Sequence, residues 1–74
     1  MTVKEFIEKL LIFKNDNSSY CISLWKDGNT QIMYFYIGNE DQRQEALEKA
    51  ADYLDCKVVK YSLGYDSIGL TVEI

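Results

Sequence analysis

The segment Asn39–Asp55, NEDQRQEALEKAADYLD, constrains this chain most. It reads as one amphipathic helix set between two pairs of β-rich runs, and it holds half of the twelve acidic residues. Asn39 follows Gly38 and suits the N-cap, because its side-chain oxygen accepts an orphan backbone N–H of the first turn. Gln42 stands three residues on, as in a capping box, and Glu40 and Asp41 put negative charge where the helix dipole favours it. Arg43 (by its stem), Leu47, Ala50, Ala51 and Leu54 follow the i, i+4, i+7, i+8, i+11 spacing of one buried face. The two alanines allow close approach to a sheet. Glu45 and Lys49 are placed as an i, i+4 ion pair.

Asp41, Glu45, Glu48, Asp52 and Asp55 are spaced 4, 3, 4 and 3 apart. In a continuous helix they fall on one ridge, away from Leu47 and Ala51, and no lysine interrupts it. Two readings stand. The ridge is a solvated face that keeps the protein soluble, or it is a row of carboxylates that imitates a phosphate backbone and meets a basic groove on a partner.

The rest of the chain fits around this helix. Thr2–Phe13 reads as a first helix, opened by a Thr2/Glu5 capping box, with Val3, Phe6, Ile7, Leu10 and Leu11 on one face. Ile12 and Phe13 widen that apolar surface, Lys14 suits the last turn, and residues 15–18 form a polar loop. Ser19–Trp25 and Thr30–Ile37 read as a hairpin around Lys26-Asp27-Gly28-Asn29, since Asp-Gly between β-rich runs is a strong turn signal. A two-residue turn and a three-residue loop with a glycine bulge give opposite registers, so the pairing of Ile22 stays open. Thr30–Ile37 is apolar on both faces, which predicts a central strand or one that meets a partner. Cys56–Leu63 and Ile68–Ile74 read as a second strand pair. Val59, Tyr61 and Leu63 are the inward set of the first, with Lys57 at the sheet rim, and Ile68, Leu70, Val72 and Ile74 are the inward set of the second.

The expected fold is therefore a single α+β domain over residues 1–74. It runs helix-hairpin-helix-hairpin (αββαββ), with a four-stranded antiparallel sheet and both helices on one face. Phe6, Ile7, Leu10, Ile22, Leu47, Ala51, Leu54, Val59 and Val72 are the expected core. Glu5–Leu11 echoes Glu45–Ala51 forty residues later, which leaves an internal duplication open.

Composition excludes several function classes. With no histidine in 74 residues, a Ser/His/Asp or Cys/His nucleophile system is ruled out, and no metal site or cofactor is expected. The four glycines are scattered, so no phosphate-binding loop exists. Cys56 falls at the wrong end of a helix dipole for a reactive thiolate. Cys21 and Cys56 are expected as reduced, buried thiols in a cytoplasmic protein, because Glu5 and Glu8 interrupt the first apolar segment and a signal peptide is not expected. No apolar run reaches membrane-spanning length. A net charge of −4 disfavours direct nucleic-acid binding. One Trp, six Tyr and three Phe are more aromatics than so small a core easily encloses. Two helices cover only one sheet face, so some of Trp25, Tyr34 and Tyr36 should stay exposed and receive a homodimer mate or a docked partner.

The opening Met1-Thr2-Val3-Lys4-Glu5-Phe6-Ile7-Glu8-Lys9-Leu10 resembles the start of small accessory proteins encoded by bacterial phages and mobile elements. Among those are inhibitors of host nucleases such as anti-CRISPR proteins, several of them small, acidic and α+β. The resemblance implies a non-enzymatic inhibitor or modulator that binds a protein partner with a basic surface. Asp41, Glu45, Glu48, Asp52 and Asp55 would then occupy a nucleic-acid groove of a host nuclease. The alternative is a structural or oligomerisation module that uses the tyrosine-bearing sheet face.

Overall fold

A computed structural model describes residues 1–13 and 18–74. Helix α1 spans Val3–Phe13, strands β1 and β2 span Tyr20–Trp25 and Gln31–Ile37, and helix α2 spans Glu40–Lys49. Strands β3 and β4 span Lys57–Leu63 and Ser67–Glu73. The element order is the expected one, and the fold is α+β. The expectations for Lys14 and for residues 15–17, and those for the side chains of Ile12 and Phe13, lie outside the described residues.

The sheet is mixed, not antiparallel throughout. Its order is β2-β1-β4-β3. Each hairpin is antiparallel, but β1 and β4 run parallel at the centre, with Ile22 beside Ile68 and Leu24 beside Leu70. The physical reason lies in the side chains: Ile22, Leu24, Ile68, Leu70 and Val72 are all buried, so the two strands with the cleanest apolar alternation take the middle. The expectation that β2 is central is corrected by this order. It is an edge strand, and so is β3.

Register in the first hairpin is set by a three-residue loop. Lys26 N–H donates to Thr30 O at 2.9 Å, and Asp27 Oδ1 accepts from Asn29 N–H and Thr30 N–H at 2.8 and 2.9 Å, an Asx-type turn. The bulge falls between Leu24 and Trp25, not at Gly28, whose φ is not positive. Phe35 therefore pairs with Ile22 and Tyr34 with Ser23. Met33, Phe35 and Ile37 share the core-lining face, while Tyr34 and Tyr36 go to the opposite face with Ser23 and Thr71.

One buried cluster holds the molecule together. It joins Val3 and Ile7 of α1, Ala46 of α2 and the adjoining Ala50 to Ile22, Leu24, Phe35, Ile37, Ile68, Leu70 and Val72. Phe6, Leu10, Leu47 and Leu54, expected in the core, are half-buried against it, whereas Ile7, Ile22 and Val72 are fully enclosed. Ala51 is exposed, because α2 ends before it. Val59 is 51% exposed, because a bulge between Val58 and Lys60 shifts the alternation of β3. The residue that packs against the core is Val58. Tyr61 and Leu63 do face the same way as Leu70 and Ile68, but they lie on an edge strand and remain 66% and 70% exposed.

Why α2 stops at Lys49 follows from α1. The first-turn N–H groups of a helix have no partner inside it. In α1, Val3 N–H donates to Cys56 O at 3.1 Å and Lys4 N–H to Leu54 O at 3.0 Å. Glu5 N–H donates to Thr2 Oγ1, and Thr2 N–H to Glu5 Oε1, which completes the capping box. Carbonyls 54 and 56 are thus turned toward α1. The chain reaches them through a single 3-10 turn at Ala51–Tyr53 after the C-cap Ala50. The same junction ties Val58 N–H to Met1 O at 2.8 Å and forms a bridge between Thr2 and Lys57.

Candidate protein-binding surface

At the start of α2, Asn39 caps as expected: Gln42 N–H donates to Asn39 Oδ1 at 2.8 Å. The Gln42 side chain does not complete the box but accepts from Ser19 Oγ at 3.3 Å. Gly38 permits this approach, since a Cβ there would stand 2.2 Å from Ser19 Oγ. Arg43, assigned to the buried face by its stem, is half-buried and pairs with Glu40 one turn back.

The five ridge carboxylates are all exposed, but they do not share one helix. Asp41, Glu45 and Glu48 lie on α2, Asp52 in the 3-10 turn, and Asp55 after it. A single ridge requires helical geometry through Asp55, and the capping of α1 by carbonyls 54 and 56 removes it. The Glu45–Lys49 ion pair expected at i, i+4 does not form. Among the described residues the ion pairs are Glu5–Lys9 and Glu40–Arg43.

Tyr34 and Tyr36 are 57% and 52% exposed, and their rings meet edge to face with centroids 6.5 Å apart. A cleft of about 150 Å³ brings them to Gln42, Glu45 and Lys49 of α2. The tyrosines and one ridge carboxylate are therefore neighbours along β2. Trp25 is separate: it is half-buried, with its indole Nε1 over Gly69, beside Lys60, Ser62 and Thr71. Of the three aromatics, some of which were expected to stay exposed, Tyr34 and Tyr36 are exposed and Trp25 is half-buried.

The carboxylates held below the ordinary range have local structural partners. Glu5 is lowered by the Thr2 backbone N–H and hydroxyl, Asp27 by the Asn29 and Thr30 N–H groups, and Glu40 by Gln44 and Arg43. Cys21 and Cys56 are free and half-buried, less enclosed than expected. Among the described residues no three His, Cys, Asp or Glu side chains gather as a metal site, and no helix is long and apolar enough to cross a membrane.

Two surface features escaped sequence reasoning. Lys49 stands in the tyrosine cleft instead of neutralising Glu45; its i, i+4 spacing pointed the other way. An apolar groove also runs between α1 and β3, lined by Met1, Phe6, Leu10, Val58, Tyr61, Leu63 and Ile68. The inward parity of Tyr61 and Leu63 was readable, but that α1 leaves them uncovered was not.

The fold and surface together define a small α+β domain with two helices and a four-stranded mixed sheet. No protein-family model matches the sequence, and neither a curated protein nor a solved structure shows significant similarity to it.

Proposed function

We propose that this chain is a non-enzymatic protein-binding module that acts as an inhibitor or modulator by docking on a basic surface of its partner. In this reading both helices lie on one face of the sheet, as the single cluster joining Val3, Ile7, Ala46 and Ala50 to the sheet supports. The opposite face then offers Tyr34 and Tyr36. The observation that carries the proposal is the meeting of these two exposed tyrosines with Glu45 of α2 in one cleft. Exposed tyrosine area is characteristic of recognition surfaces, and the carboxylate beside it gives this one a negative sign. Asp41 and Glu48 add negative charge on the same helix, and Asp52 and Asp55 continue it beyond α2. A basic groove that ordinarily holds nucleic acid is the complementary partner, and occupying it would exclude the nucleic acid.

The test compares the parent with the Glu45→Gln, Glu48→Gln, Asp52→Asn variant in capture from a bacterial lysate, at low and at physiological salt. All three side chains are exposed, so the fold should be unchanged. A partner that the parent retains, the variant loses, and rising salt releases is the expected result, with nucleic-acid binding by that partner blocked by the parent. Equal retention by parent and variant at both salt concentrations would remove the charge-based reading.

A further inference from the structure

Strand β2 forms one edge of the sheet. Among the described residues it pairs only with β1, so alternate N–H and C=O groups along its other side face outward and can receive another strand. Its seven residues, QIMYFYI, carry no charge and no proline. Lysines, prolines, bulges or a covering segment ordinarily blunt such an edge; β2 has one bulge, at Ile32 near its start, while Met33–Ile37 is regular and, among the described residues, no other strand pairs with its outer side.

We propose that a second copy of this chain fills this edge. Two β2 strands pair antiparallel about a two-fold axis near Tyr34, and the two sheets become one eight-stranded sheet. This inference goes beyond the proposed function and stands independently of it.

Charge placement selects the second copy over another partner. Glu45 borders β2 beside Tyr34 and Tyr36. Lys49 borders the same cleft and also the 31–34 half of the strand. Antiparallel pairing reverses one strand against the other. It therefore brings Glu45 of each copy toward the half of β2 where Lys49 of the other copy stands. Neither residue has an ion-pair partner within its own chain among the described residues. One acid and one base on the side of α2 that flanks the edge make a self-complementary pattern. A uniformly basic strand would meet Lys49 as well as Glu45 and gain less. The same axis sets Tyr34 against Tyr34 on the tyrosine face, where aromatic cross-strand pairs are favourable.

Sedimentation equilibrium on the intact chain tests this, with Tyr34→Lys, Lys49→Glu, Glu45→Lys and the double exchange as variants. The parent should be a dimer. Tyr34→Lys should raise its dissociation constant by more than about tenfold, with a circular dichroism melt like that of the parent showing that the fold persists. Each single charge change should weaken the dimer by about threefold or more, and the double exchange should restore it. A parent that stays monomeric to millimolar concentration overturns the proposal. So does a dimer indifferent to Tyr34→Lys, or a double exchange that restores nothing. A monomer whose β2 amides gain protection only when an oligolysine peptide is added overturns it in favour of a basic strand from another protein.

Discussion

The two edges of the sheet are built differently, and the difference separates a strand that is finished from one that is not. On the outer side of β3, Met1 O accepts from Val58 N–H and Thr2 bridges Lys57, so the chain's own start covers the beginning of the strand. A bulge between Val58 and Lys60 breaks its regularity, and Lys57 and Lys60 add charge. These are the devices by which proteins discourage strand addition. Strand β2 has the same length and a bulge of its own at Ile32, but it carries no charged residue and, among the described residues, no bridge on its outer side. One edge is closed by the sequence of β3 together with the α1 junction; the other is left to be closed by something else.

Burial sharpens the contrast first. Phe35 on β2 and Leu63 on β3 face the core-lining side, but Phe35 is 2% exposed and Leu63 is 70% exposed. Phe35→Ala should cost about 3–5 kcal/mol in denaturant unfolding, a large share of the stability of so small a domain. Leu63→Ala should stay within about 0.5 kcal/mol. Comparable losses would mean that the β3 edge is covered after all.

The closure of the β3 edge is tested next. Thr2→Ala removes the hydroxyl that caps α1 and should cost about 1 kcal/mol. It should also speed amide exchange at Val58, whose N–H depends on Met1 staying in place, with no change at β2. An unchanged Val58 amide would separate the cap from the edge.

A smaller effect comes from acid. Glu5, Asp27 and Glu40 have lowered values in the folded state. Their contribution is therefore fully present above the unfolded carboxylate value of about 4 and is lost as pH falls through the lowered folded values. Glu5 supports the α1 junction at the β3 edge, Asp27 the hairpin turn, and Glu40 the first turn of α2. Thermal melts should fall gradually on acidification below about pH 4, and Glu5→Gln should flatten part of that dependence. A melt insensitive to pH in that range would count against these caps.

Much of this arrangement was legible in the chain. Thr2 with Glu5 and Asn39 before the acidic first turn marked both helix starts, and Asp27-Gly28 marked the hairpin, because these signals act within a few residues. The parallel centre of the sheet was not legible: it depends on which strand outcompetes another for burial across the whole chain. The apolar character of both faces of β2 pointed to a central strand or one that meets a partner, and the strand order removes the first of these. The early end of α2 was hidden for a similar reason, since the carbonyls that cap α1 come from residues 54 and 56. That contact also dissolved the five-carboxylate ridge as a single helical row. The meeting of Tyr34, Tyr36 and Glu45 required the register of β2 and the path of α2 together.

Amide hydrogen exchange along both edge strands, followed as protein concentration is raised from the low micromolar range to about a millimolar, sets the two edges against each other directly. If β2 is open and receives a second copy, protection at its outward amides should rise with concentration while Val58 and the rest of β3 stay constant. Protection in β2 that is already high at the lowest concentration and does not change, or concentration-dependent protection that appears in β3 instead, would contradict the difference between the edges.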